Sequence, residues 1–251
     1  MKEKLYTIPL NDAVNANDEC PFCYIERNVE NDLLDYVLGS AASYMEADTR
    51  ELTDKFGFCR EHIRKMYDYG NTLGNAWILK THYRKTIEEF TEQYKKYTPV
   101  KMTLKDKLSK PEGFKNSMAK WTHDKDKSCY ICNEFAKTYD RYLDTFFYLY
   151  KEDNAFKEKV DNGKGFCLHH FGDLCEYAEF HMNEKDKPEF FERMFNLMKT
   201  NMERIYEDVS WLIEKFDYRN KDADWKNSKD AVARGMQKLR GSYPGEVHKQ
   251  K

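Results

Sequence analysis

The feature that most constrains this chain is a cysteine–histidine pattern written twice. The first copy runs from Cys20 to His62, opening with CPFC and closing with GFCREH, with 35 residues between Cys23 and Cys59. The second runs from Cys129 to His170, opening with CYIC and closing with GFCLHH, with 34 residues between Cys132 and Cys167. Cys20 and Cys23 fall on Cys129 and Cys132 at an offset of 109 residues. Gly57, Phe58, Cys59 and His62 fall on Gly165, Phe166, Cys167 and His170 at an offset of 108. The likeness continues downstream, where ILKTHYRKTIEEFTEQYKKY from Ile78 parallels LMKTNMERIYEDVSWLIEKF from Leu197. A two-unit repeat explains this agreement.

Each unit has helical periodicity. Ile25, Val29, Leu33, Tyr36 and Val37 recur at three- and four-residue steps, as on one face of a helix. A short helix is expected over ADTRELTDK, a helix over 60–69 stopped by Gly70-Asn71, and a long one over 73–97 closed by Pro99. The second unit repeats the plan with helices over 130–151, 168–181 and 188–217, and the tail adds one near 222–240. With only 11 Gly and 6 Pro against 34% charged residues, the composition also disfavours a turn-rich β fold. The expected fold is therefore all-α, an internally duplicated helical bundle in which each repeat carries one metal site. Residues 1–97 form the first repeat, 98–128 a basic linker, 129–217 the second repeat, and 218–251 a basic, partly helical tail. The long helices carry broad apolar stripes (Trp77, Ile78, Tyr83, Ile87, Phe90 and Tyr94; Phe195, Met198, Met202, Ile205, Tyr206, Val209 and Leu212) and are expected to bury them against each other.

The motif residues point to metal. Cysteine pairs spaced by two let one turn present both sulfurs to a single ion, and three Cys with one His is a common structural zinc set. The candidate ligands are Cys20, Cys23, Cys59 and His62 for one site, and Cys129, Cys132, Cys167 and His170 for the other. Two Zn²⁺ per chain are expected, with an iron–sulfur cluster as the alternative. Register selects His170 over the adjacent His169, which is left as a neighbour of the site or a surface residue. Asp35 and Asp144 are candidates to accept a hydrogen bond from the metal-bound imidazoles, with a helix-surface role as the competing reading. Cys175 has no repeat partner and is read as a buried thiol. His82, His123, His181 and His248 are treated as ordinary.

Other chemistries fit less well. CPFC resembles a dithiol oxidoreductase motif, but no buried strand precedes it and CYIC lacks the proline. Tyr24 and Asn133 stand where covalent haem attachment needs histidine. There is no Glu-x-x-His for a di-iron bundle, no phosphate loop, no HExxH and no G-x-S-x-G. Sites closed by four protein ligands argue against catalysis at the metal, so the expected role is scaffold or protein interaction. Two alternatives stand beside it. One is an enzyme or small-molecule binder using an aromatic cleft between the repeats, with Trp77, Tyr83, Trp121 and Trp211 as candidates. The other is a thiol-based redox or metal sensor, which exposed sulfurs would favour.

No segment of the sequence has the apolar run of a signal peptide or membrane helix, so a cytoplasmic protein with no membrane partner is expected. The net charge is −2. Positive charge is confined to the linker and tail, which does not favour nucleic-acid binding. The partner is an unspecified protein or small molecule. The CPxC, GFCxxH, CxxC and GFCxHH elements together resemble an uncharacterised bacterial family, common in Gram-positive anaerobes, of proteins of about this length. That resemblance supports the metal sites and implies no substrate.

Overall fold

The computed structural model describes residues 5–103, 113–242 and 244. His248 and parts of the expected linker and tail lie outside them. The regular structure of the described residues is all helical, with no strand among them. The helices are α1 Thr7–Asn15, α2 Pro21–Leu38, α3 Ala47–Phe56, α4 Arg60–Tyr69, α5 Thr72–Lys96, α6 Ser117–Lys127, α7 Tyr130–Glu152, α8 Asn154–Asp161, α9 Leu168–His181, α10 Lys187–Lys215 and α11 Ala231–Arg240. Short 3₁₀ turns cover Ser43–Met45 and Tyr218–Asn220.

Local chemistry sets most of these boundaries. Gly70 takes the left-handed conformation that ends α4, and the Asn71 side chain accepts from the Gly74 N–H to begin α5. Asn116 and Asp153 cap α6 and α8 in the same way. The tail helix starts at Ala231, later than its periodicity predicts. Turn-forming residues before it prefer local bonds: the Ser228 hydroxyl donates to the Trp225 carbonyl, and the Lys226 N–H to Asp224.

The chain divides into two compact units. Residues 5–29 and 137–242 make a terminal unit, and residues 30–136 make a central unit, so α2 and α7 each contribute to both. Each unit takes residues from both of the expected repeats. The terminal unit has an aromatic core of Phe22, Phe146, Phe156, Phe166 and Phe190 with Leu10, Leu143, Met194 and Met198. There α1 packs on α8, and α11 on α9 and α10. The central unit is built on Leu34, Val37, Leu38, Met66, Ile78 and Ile131, with α3 and α4 against α5.

The C-terminal third of the expected linker is a packed helix, α6. Trp121 of α6 meets Phe90 of α5 edge-on, and Lys125 pairs with Glu89. The apolar stripes of α5 and α10 are not buried as expected: Tyr83, Ile87, Tyr94 and Tyr206 remain more than half exposed. Of the stripe residues Ile78 on α5 and Met198 and Ile205 on α10 are buried, beside Thr81 and Met194. Trp211 is held by the Asp224 carbonyl and Trp77 packs beside the central core. No helix among the described residues is long and apolar enough to cross a membrane.

Candidate metal centres

The eight motif residues gather into two groups of four, and the grouping differs from the expected one. Cys20 and Cys23 meet Cys167 and His170, while Cys59 and His62 meet Cys129 and Cys132. Each group joins the Cys-x-x-Cys of one expected repeat to the Cys-x-x-His of the other. The reason is helix length. The helix that Cys23 helps to open, α2, has 18 residues, whereas α3, on the way back to Cys59, has only 10. At 1.5 Å per residue that is about 27 Å out and about 15 Å back, so Cys59 does not regain Cys23. The second repeat has the same imbalance, with 23 residues in α7 and 8 in α8.

Every donor sits at a helix N-terminus. Cys20 and Cys129 immediately precede α2 and α7, with Cys23 and Cys132 in their first turns. Cys59 and Cys167 are the N-cap residues of α4 and α9, with His62 and His170 one turn on. Each centre is thus made where two helix starts converge, and their unpaired N–H groups and dipoles favour thiolate charge. The Cys167 sulfur accepts from the His170 N–H at 3.4 Å. The glycine of each GFC turn is required by its backbone. Gly57 and Gly165 have φ of +60° and +72°, and a Cβ on Gly57 would stand 2.7 Å from the His82 ring. That contact, with His82 Nδ1 3.0 Å from the Asp54 carbonyl oxygen, gives His82 a packing role.

The geometry within each group is tight. In the terminal unit, His170 Nδ1 lies 3.4 Å from Cys20 Sγ, 3.4 Å from Cys23 Sγ and 3.2 Å from Cys167 Sγ. Cys23 and Cys167 sulfurs are 3.6 Å apart. In the central unit, His62 Nδ1 lies 3.2 Å from Cys59, 3.2 Å from Cys129 and 3.4 Å from Cys132. Cys59 and Cys132 sulfurs are 4.0 Å apart. All four donors of each group fall within 4.8 Å of one another, a spacing that can hold one metal ion. All seven cysteines are free thiols.

Proton affinities respond to this crowding. Burial opposes charge on His62 and His170, yet hydrogen bonds, chiefly with Cys129 and Cys167 respectively, push both imidazoles up to about 10. Cys129 is held down at about 3, first by Cys132 and then by His62. Cys167 is driven far down by Cys20 and Cys23, while burial pushes Cys20 up. Each centre therefore pairs a thiolate with an imidazolium. A metal needs every sulfur deprotonated and the imidazole neutral, so binding releases protons and weakens as pH falls.

With Nδ1 turned to the sulfurs, Nε2–H of each imidazole faces outward. In the central unit it donates to Glu30 Oε1 at 2.6 Å, and Lys65 pairs with the same carboxylate. His62 and Lys65 hold Glu30 below its usual range in spite of its burial. In the terminal unit the nearest carboxylate is Glu26, 3.9 Å from His170 Nε2, and Phe22 and Tyr139 flank the ring. Neither Asp35 nor Asp144 takes this part. Asp35 accepts from the Tyr69 hydroxyl at 2.9 Å, and Asp144 lies 3.2 Å from His181. Sequence register does not reveal Glu30, because the residue 109 positions on is Tyr139. His169 is exposed and lies 3.7 Å from Asp173, which also accepts from Tyr139.

The two centres differ in cover. Cys20, Cys23 and Cys167 are 0% exposed and His170 1%. In the central unit Cys129 and His62 are buried, Cys59 is half-buried and Cys132 is exposed. The cover of the closed centre includes the tail, where a Cβ on Gly241 would stand 3.5 Å from Cys167 Sγ and 3.7 Å from Cys23 Sγ. Buried Lys238 fixes that end of α11 by donating to the carbonyls of Glu19 and Lys164, and it pairs with the Glu19 carboxylate at 3.2 Å.

Residues 1–246 match the sequence profile of the Family of unknown function (DUF6062). The chain belongs to that family. No curated protein and no solved structure matches it.

Proposed function

We propose that this DUF6062 member is a cytoplasmic zinc protein with two four-ligand Cys₃His centres, acting as a non-enzymatic scaffold or interaction protein. The observation that carries the reading is the donor spacing. A tetrahedral zinc with bonds of about 2.3 Å to sulfur and about 2.05 Å to nitrogen has edges of about 3.8 Å between sulfurs and about 3.6 Å between sulfur and nitrogen. The sulfur–sulfur separations of 3.6 and 4.0 Å and the sulfur–nitrogen separations of 3.2 to 3.4 Å lie close to those edges. An iron–sulfur cluster spreads its cysteines over separate irons and needs a wider set. Four protein donors complete the zinc shell and leave no position for substrate, which favours a structural role over catalysis.

The duplicated-repeat reading gains support from contacts at matched positions. Glu30 and Tyr139 share one register and each faces the imidazole at the start of α4 or α9. Their partners Lys65 and Asp173 also share a register. The crossed ligand sets then make each zinc a clamp between two repeats.

The test is elemental analysis of protein purified without added metal. Two zinc per chain are expected, with chelation lowering the melting temperature. A folded, metal-free protein indifferent to chelator would refute the proposal, and an iron chromophore would replace zinc with iron.

A further inference from the structure

We infer that the open centre is a thiol switch: a hydroperoxide oxidises Cys132, which forms a disulfide with Cys59, and the centre gives up its metal while the closed centre keeps its own. This rests on the zinc reading above and adds a function that a purely structural pair of sites lacks.

Sulfur separation does not distinguish the two centres. Cys59 and Cys132 are 4.0 Å apart, and Cys23 and Cys167 are closer still at 3.6 Å. Either pair needs to close by less than about 2 Å to reach a disulfide bond length. Access decides between them. Oxidation requires a peroxide oxygen to approach a sulfur in line, and susceptibility follows thiolate character and exposure. Cys132 is exposed and Cys59 half-buried, whereas every sulfur of the closed centre is shielded. Within the open centre, Cys129 is 1% exposed and packs with Leu34 and Ile131, so it is screened from attack. The remaining thiol, Cys175, lies outside both groups, so its oxidation leaves both donor sets intact.

The chemistry balances as a two-electron oxidation. The Cys132 thiolate attacks the outer oxygen of the hydroperoxide, the O–O bond breaks, and an alkoxide or hydroxide leaves and takes a proton from water. The sulfenic acid formed on Cys132 is attacked by the Cys59 thiolate. The S–S bond forms and hydroxide leaves, also to be protonated. Two thiolates are oxidised and one peroxide is reduced. Cys129 and His62 alone remain as donors, too few to retain the ion. A dithiol reductant reverses the change.

The experiment uses the full-length zinc-loaded chain with Cys175→Ser as background. Dilute hydrogen peroxide is added, zinc release is followed with a chromogenic chelator, and disulfides are mapped in non-reduced peptides. One of two equivalents should leave at least about tenfold faster than the other, with a Cys59–Cys132 disulfide that dithiothreitol reverses on zinc return. In Cys132→Ala, the zinc that remains should resist peroxide. Equal release of both equivalents, release of neither, rapid loss from Cys132→Ala, or a disulfide containing Cys20, Cys23 or Cys167 would overturn the inference and leave the zinc reading standing. Protein that carries no zinc at all would overturn both.

Discussion

The two centres use the same donors at the same helix positions, yet one is sealed and the other reaches solvent. In the terminal unit the sulfurs lie under Phe22, Phe166 and the end of α11. In the central unit the GFC turn is tied to the start of α7 by the Tyr130 N–H donating to the Gly57 carbonyl at 2.8 Å. The matching position in the first motif is Pro21, which has no N–H to give. The contrast shows that ligand chemistry is decided by a few residues in a turn, whereas accessibility is decided by whatever distant segment packs above them. Among the described residues the end of α11 lies on the closed centre, with Gly241 beside the Cys167 and Cys23 sulfurs.

The largest effect should come from breaking ligand pairs in two ways. If the centres are crossed, Cys20→Ser with Cys167→Ser strikes one centre and leaves one equivalent of zinc. Cys20→Ser with Cys59→Ser strikes both and leaves none. Sequence-local centres would give the opposite pattern. Losing a buried metal belongs with the most damaging substitutions, above about 4 kcal/mol. The second double variant should therefore melt well below the first, as measured by calorimetry beside metal analysis.

That experiment addresses what the sequence left undetermined. Helix positions were legible because Gly70, Asn71, Pro99 and the apolar spacing act locally; α4 spans Arg60–Tyr69 and α9 Leu168–His181, as their periodicity predicts. The eight clustered residues were legible because each pair belongs to one turn. Which pair meets which was not, since both arrangements satisfy the same spacing and only the unequal lengths of α2 and α3 separate them. The burial of Lys238 was also hidden. A lysine in a basic tail reads as solvated, and only tertiary contact supplies Glu19 and two backbone carbonyls.

Lys238 offers the next test. Lys238→Met leaves the Glu19 and Lys164 carbonyls without their buried donor, while Glu19 keeps Arg204 at 2.5 Å. The expected cost is about 2–4 kcal/mol. Zinc removal from the closed centre by a strong chelator should accelerate toward the rate of the open one, because α11 no longer holds Gly241 against the sulfurs. An unchanged rate in a destabilised protein would separate the tail from the shielding and leave the aromatic core as the sole cover.

The smallest effect should distinguish the two outward imidazole nitrogens. Glu30 accepts from His62 Nε2 at 2.6 Å, whereas Glu26 stands 3.9 Å from His170 Nε2 with its side chain 40% exposed. A carboxylate in hydrogen-bond contact raises the basicity of a ligating imidazole and fixes its orientation, and losing such a partner weakens metal binding by about 10–100-fold. Glu30→Gln should therefore lower zinc affinity of the open centre by about that factor, read by competition with a chelator of known affinity. Glu26→Gln should change the closed centre by less than about twofold, because Glu26 stands beyond hydrogen-bond distance of His170. Glu30 also pairs with Lys65, so a general loosening of α4 against α2 is the competing explanation. Lys65→Met breaks that pair and spares the bond to His62. If it weakened zinc binding as much as Glu30→Gln, the carboxylate would be holding the helix rather than tuning the ligand. If only Glu30→Gln acts, the accessible centre is the one whose affinity is set by a single charge.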